Sequence, residues 1–193
     1  DDIRAYLQHH RNRGLSPYTI KRHLAVISAM YTWLCSDDID VVDPKHNPTN
    51  GVSAPRLPEV KPKALSSEEI EAIVDATTVS QCRRRDKAIM LFLFDTAARA
   101  TATCRVTLPD IGLKTGRVLL RRTKGDKQRY VYLGNRAISA MTLYLKDERP
   151  EPAIAGDNHL FLTVDGYPMT RNTLRLMINR LSERSGVKCT AHM

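Results

Sequence analysis

No stretch of this 193-residue chain approaches the roughly 18 uninterrupted apolar residues that a membrane-crossing helix needs. The opening D-D-I-R-A-Y-L also lacks the basic-then-apolar order of an export signal. Neither membrane insertion nor secretion is indicated, and the expected compartment is the cytoplasm. Cysteine is scarce and scattered. Cys35, Cys82, Cys104 and Cys189 lie 47, 22 and 85 positions apart, with no C-x-x-C pair and no histidine at metal-ligand spacing. That pattern argues against a disulfide framework and against a zinc site, so reduced, mostly buried thiols are expected. Acidic residues are the minority charge. Twenty-one Asp and Glu face thirty Lys and Arg, for a net charge of +9 and a pI near 9.6, which is the electrostatic footprint of a nucleic-acid binder.

What is present is organised in two parts. Residues 1–63 carry nine basic and seven acidic side chains, and residues 64–193 carry twenty-one and fourteen, so the positive excess belongs to the second part. With 42% apolar residues, either part has enough material for a core. Ser16-Pro17 followed by Ile20, Leu24, Ile27, Tyr31 and Leu34 predicts a capped amphipathic helix, preceded by a shorter one ending at Gly14. From Asp43 to Lys63 the chain turns to prolines with little apolar period and reads as a linker. Ser66-x-x-Glu69 is a capping box that opens a new unit near Ala64. A-I-M-L-F-L-F at 88–94 is apolar nearly all round and predicts a central buried helix, with Arg83, Arg84 and Arg85 as its solvated start. Two strands joined through K-G-D-K predict a hairpin; Asn135 is expected to cap a helix through Leu145, and Thr170 one ending at Gly186. The expected fold is mainly α with a small antiparallel β-sheet. It divides as a helical unit over 1–43, a proline-rich linker over 44–63 and a mixed α/β unit over 64–193.

Three residues invite a chemical reading, and each has a plainer alternative. Arg99 emerges where the apolar helix ends; its guanidinium either pairs with Asp95 or waits for an external anion. Lys124 sits among Arg121, Arg122, Lys127 and Arg129. It is either an ordinary solvated lysine or a mobile proton donor whose pKa its cationic neighbours depress. His192, in C-T-A-H-M, gains meaning only in company with the other two.

These segments stand in an informative order. D-T-A-A-R-A-T-A-T-C-R-V-T-L-P-D-I, the basic hairpin, H-L-F-L-T-V-D-G-Y-P-M-T-R-N-T-L-R-L-M-I-N-R-L and T-A-H-M together resemble the tyrosine recombinase (phage integrase) family. G-L-S-P-Y-T-I-K-R-H-L-A-V-I-S-A-M-Y-T-W-L is similar to that family's helical core-binding domain, so the resemblance covers essentially the whole chain. It implies a C-shaped clamp on duplex DNA. In the family a tyrosine attacks the scissile phosphate, a 3′-phosphotyrosyl link forms and a 5′-hydroxyl leaves. No metal, nucleotide cofactor or small-molecule substrate takes part, and family members work as tetramers on two duplexes. By position, Arg99 matches the first catalytic arginine, Lys124 the hairpin lysine that acts as general acid, with Lys127 as runner-up, and His192 the histidine opening the H-x-x-R box. Charge-assisted hydrogen bonds from guanidinium to a phosphorane suit that chemistry, at roughly 1.5–3 kcal/mol each.

Departures from the family pattern accompany the match. Ala97 and Ala98 replace the usual glycine and leucine before the arginine, and Ala102 takes the acidic position three residues after it. The sequence stops at Met193, ahead of the second arginine and the nucleophilic tyrosine. None of Tyr6, Tyr18, Tyr31, Tyr130, Tyr132, Tyr144 or Tyr167 matches the nucleophile. The 193 residues are therefore expected to bind duplex DNA and not to cut it. Expected DNA contacts are Thr19, Lys21 and Arg22 on the first helical unit, Arg121 and Arg122 on the hairpin, and Arg171 and Asn172 at the start of the last helix. Phosphate contacts would supply affinity, with base reading left to the first unit. The alternatives are a naturally truncated, non-cleaving DNA-binding remnant and, from another class, a helical protein-interaction module with a basic face.

Overall fold

A computed structural model describes residues 2–59, 64–121 and 128–190. The K-G-D-K turn, with Arg122, Lys124 and Lys127, lies outside the described residues, as does His192. The chain divides into two compact units, Asp1–Pro62 and Lys63–Met193.

In the first unit, α1 (Asp2–Asn12) and α2 (Pro17–Leu34) meet through Leu7, Ile20 and Leu24, flanked by Ile3, Leu15 and Val52. The connection is short because two local signals agree. Gly14 takes a left-handed φ of 75°, and Ser16 caps α2 by accepting the Thr19 N–H at 3.2 Å. Pro17 sits in the first turn, where its missing N–H removes nothing from the helix. The proline-rich stretch is tied back onto this unit. The Tyr18 hydroxyl donates to the Pro58 carbonyl at 2.9 Å, and the Arg4 guanidinium to that of Gly51 at 3.3 Å.

The second unit is built around α4 (Arg83–Thr96), in which Ala88, Ile89, Met90 and Phe92 are fully buried. α3 (Ser67–Asp75) precedes it, opened by the Ser66/Glu69 capping box. α6 (Asn135–Asp147) packs along α4, and α7 (Arg171–Ser185) packs on α3 and on the short α5 (Ala100–Cys104). The rings of Phe92, Phe161 and Tyr144 meet at 5.8 and 6.0 Å between centroids, and the Tyr144 hydroxyl accepts the Leu162 N–H at 3.1 Å. The sheet is antiparallel in the order β1 (Ile111–Gly112), β2 (Arg117–Leu120), β3 (Arg129–Tyr132). Val118 pairs with Val131 in register, turning Val118 and Leu120 into the core. Gly116 makes the turn into β2 with φ 68°; a Cβ there would stand 2.7 Å from the Leu133 carbonyl oxygen.

Two expectations are corrected. The start of α4 is only in part a solvated arginine cluster: Arg83 is exposed and Arg84 half-buried in an ion pair with Asp147, but Arg85 is buried. Arg85 is 7% exposed and donates through Nε and Nη2 to Oδ1 of Asp86, itself 4% exposed, and through Nη1 to the Leu162 carbonyl. The α4 N-terminus is instead capped from a distance, with Glu148 accepting the N–H groups of Arg84 at 3.0 Å and Arg85 at 2.8 Å. Asn135 does not cap α6 either. The N-cap residue is Gly134, whose N–H donates to Asp95 at 2.7 Å.

Among the described residues no helix is long and apolar enough to cross a membrane. All four cysteines are free, with Cys104 and Cys189 buried.

Candidate functional site

Arg99 stands at a tightly built corner. α4 ends when Ala97 turns left-handed, at φ 46° and ψ 35°, and its N–H still donates to the Leu93 carbonyl at 2.9 Å. The Thr96 hydroxyl donates back to the Phe92 carbonyl at 2.7 Å and accepts the Ala98 N–H at 3.2 Å. Ala98 and Ala100, on either side of Arg99, are buried at 4% and 2% exposure. Arg99 itself is extended, at φ −66° and ψ 147°, and serves as N-cap residue of α5. Its carbonyl receives both the backbone N–H of Thr103 at 2.9 Å and the Thr103 hydroxyl at 3.2 Å. The backbone is therefore held from both sides while the side chain is exposed, and among the described residues it makes no hydrogen bond or ion pair. The expected partner is committed elsewhere, since Asp95 receives the Gly134 N–H at the start of α6. Ala102 is buried and brings no charge to the corner.

α5 leads into Thr107–Asp110, which holds the base of the hairpin. Asp110, with its side chain 1% exposed, accepts the Thr107 N–H at 3.1 Å, the Thr107 hydroxyl at 2.6 Å and Nε of Arg121 at 2.6 Å. Burial alone would raise the Asp110 pKa, but the bonds from Thr107 and Arg121 outweigh it and hold the carboxyl below its ordinary value. Arg121 is thereby anchored by Nε, with half of its side chain still open to solvent. Sequence reasoning passed over Asp110, although T-L-P-D reads as a capping box with proline inside it. It also passed over α5, a five-residue helix too short to show a period.

The remaining candidates divide between the two units. Arg171 and Asn172 are exposed in the first turn of α7, behind the Thr170 cap, and the Asn172 carbonyl oxygen accepts from Arg175 at 2.9 Å. Because α5 packs on α7, Arg99 and this turn belong to neighbouring elements. In the first unit, Lys21 and Arg22 are exposed on α2, whereas Thr19 is half-buried with its hydroxyl against Ser16 Oγ at 2.9 Å. Lys124, Arg122 and His192 lie outside the described residues. Among the described residues no group of three His, Cys, Asp or Glu side chains is gathered to hold a metal ion.

Residues 63–193, more than half of the sequence, match the profile of the phage integrase family. The chain belongs to that family. Among curated members, the tyrosine recombinase XerC of Bacillus pumilus (strain SAFR-032) is 30% identical over 189 residues, covering 95% of this chain and 60% of the relative. The tyrosine recombinase XerD of Listeria innocua serovar 6a is 26% identical over 192 residues, with 97% and 63% covered. The chain thus spans about 60% of the length of the curated family members it matches. The same fold is seen in a lambda integrase dimer bound to a COC′ core site, at TM-score 0.76, 17% identity and 98% of this chain against 53% of that one. It is seen again in the XerH site-specific recombinase bound to difH substrate, at TM-score 0.73, 19% identity and 99% against 56%.

Proposed function

We propose that this chain is the DNA-gripping part of a site-specific tyrosine recombinase, comprising a helical core-binding domain over 1–43, a linker over 44–63 and the forward portion of the catalytic domain over 64–193. Arg99 donates to the non-bridging oxygens of the scissile phosphate. Lys124 delivers a proton to the departing 5′-oxygen, and His192 adds a further donor to the phosphorane. Arg121, Arg122, Arg171 and Asn172 grip the phosphate backbone, and Thr19, Lys21 and Arg22 contact it from the core-binding side. The 193 residues bind duplex DNA without breaking it, and the assembled enzyme works as a tetramer.

One observation carries this reading. A guanidinium with no partner among the described residues is presented by a backbone pinned at Thr96, Ala98 and Thr103, at the position that resembles the family's first arginine. A charged group kept unpaired on a rigid corner is poised for an anion supplied from outside, which is the preorganisation that phosphoryl chemistry uses. Ala97 in a left-handed conformation and Ala102 in the usual acidic position favour a second reading, a DNA-binding remnant that no longer cleaves.

The two readings part in one experiment. The chain, continued through its own coding sequence beyond Met193, is incubated with nicked duplexes and resolved under denaturing conditions. A covalent protein–DNA adduct that disappears in Arg99→Ala supports the recombinase. Duplex binding with no adduct on any substrate supports the remnant. Absence of duplex binding contradicts both.

A further inference from the structure

At the opposite end of α4 from Arg99 lies a second concentration of positive charge. The helix is 14 residues long, which at 1.5 Å per residue separates its two ends by about 20 Å. There a cavity of about 310 Å³ opens between α7, the first turn of α4 and the Ser80–Cys82 loop. Arg180 and Arg184 project into it from successive turns of α7, four residues apart, where like charges repel. Neither has a carboxylate partner among the described residues; Arg184 is steadied by donating to Ser80 Oγ at 3.1 Å. Arg85 and Asp86 form the floor as a neutral pair, both Nε and Nη2 of the arginine resting on one oxygen, Oδ1. The α4 N-terminus contributes nothing to this charge, because Glu148 already takes its N–H groups. Among the lining residues three guanidinium groups stand against one carboxylate, and the nearby Glu148 carboxylate brings the surplus down to about one positive charge around a half-enclosed polar space. Burial pushes the half-buried Cys82 thiol on the cavity wall above its ordinary pKa; the nearby Arg85 and Arg180 guanidinium groups work against this, and the Asp86 and Glu148 carboxylates add to it.

We propose that this cavity is an anion site for a phosphate group, held by Arg180 and Arg184 and separate from the surface around Arg99. Paired arginines with spare N–H groups, beside a hydroxyl and at the rim of a half-enclosed cavity, match phosphate oxygens in charge and in donor geometry. An occupant would relieve the repulsion between the two guanidinium groups, and it would both cover Cys82 and disfavour its thiolate. The cavity is roomier than a bare ion, so a phosphate ester fits as well as inorganic phosphate.

Cys82 supplies a local readout that needs no DNA chemistry. Its alkylation by iodoacetamide is followed by peptide mass spectrometry in the full chain, in inorganic phosphate against sodium chloride of equal ionic strength. At phosphate about tenfold above its Kd, mass action leaves roughly one site in ten open, so Cys82 reacts up to about tenfold more slowly than in chloride. The protection is expected to vanish in R180Q/R184Q and to return in part in R180K/R184K, which keeps the charge. Equal rates in the two salts, or protection that survives R180Q/R184Q, would overturn the site. A short duplex in place of phosphate separates the sources. Protection by duplex that requires both arginines assigns a DNA backbone phosphate, and protection by phosphate alone assigns a free anion.

Discussion

Replacing Ala97 by glycine should stabilise the second unit, because a helix that ends in the left-handed region favours glycine there. Ala97 closes α4 at φ 46° and ψ 35°, a conformation in which the Cβ of an L-residue crowds the following carbonyl, at a cost of about 1–2 kcal/mol. Glycine removes that term and gives back about 0.4–1 kcal/mol through its freer unfolded chain. The Ala97 methyl group is exposed, so its loss forfeits little burial. The net gain is about 0.5–1 kcal/mol. For a unit of about 130 residues, unfolding entropy near 2.1 cal/mol/K per residue converts this to a rise of about 2–4 °C in Tm. The assay is thermal unfolding followed by far-ultraviolet circular dichroism on the wild type, A97G and A97V. The β-branched variant should fall below wild type, because valine tolerates the left-handed region less well than alanine. An A97G midpoint equal to or lower than wild type would refute the claim that strain is stored at this corner.

Asp110→Asn should destabilise the second unit by about 1–3 kcal/mol, because the Thr107 and Arg121 donors lose a charged, buried acceptor. The Asp110 pKa is held below its unfolded value, so its contribution is fully present above the ordinary carboxyl pKa of about 4 and fades as pH falls through the lower folded value. Urea midpoints measured down the acid limb should therefore converge for wild type and D110N, and curves that stay parallel would count against the pairing. Glu148→Ala should lower stability by about 1 kcal/mol, since two N–H groups at the start of α4 lose their acceptor. An unchanged melting curve would show that this long-range cap is idle.

Much of the architecture was legible because local signals agreed with one another. Ser16-Pro17, Ser66-x-x-Glu69 and Thr170 each begin a helix where capping chemistry places it, and Gly14 and Gly186 end two in left-handed turns. The corner at Arg99 was legible only as a residue of interest. The clamp on its carbonyl comes from Thr103, and the identity of its non-partner was settled by Gly134, thirty-nine positions beyond Asp95. Arg85 was misread for the same reason. The two residues before it are cations, but its side chain is paired with the adjacent Asp86 and held by the Leu162 carbonyl from a distant part of the chain, while Glu148 takes its backbone N–H. Short-range pattern identifies a helix start, whereas tertiary contacts decide whether a charge at that start faces water or carbonyls.

The central claim is that Arg99 is an unpaired phosphate ligand on a DNA-binding surface. Its most direct test is fluorescence anisotropy of a labelled duplex titrated with the 193-residue chain, wild type against Arg99→Ala, across a range of salt concentrations. The expected result is a log–log salt slope near −0.9 for each phosphate neutralised, made shallower by about 0.9 in the variant. The variant's affinity should also be lower by about 1.5–3 kcal/mol, as removal of one charge-assisted contact implies. Duplex binding that is absent, insensitive to salt or unchanged in Arg99→Ala would contradict it.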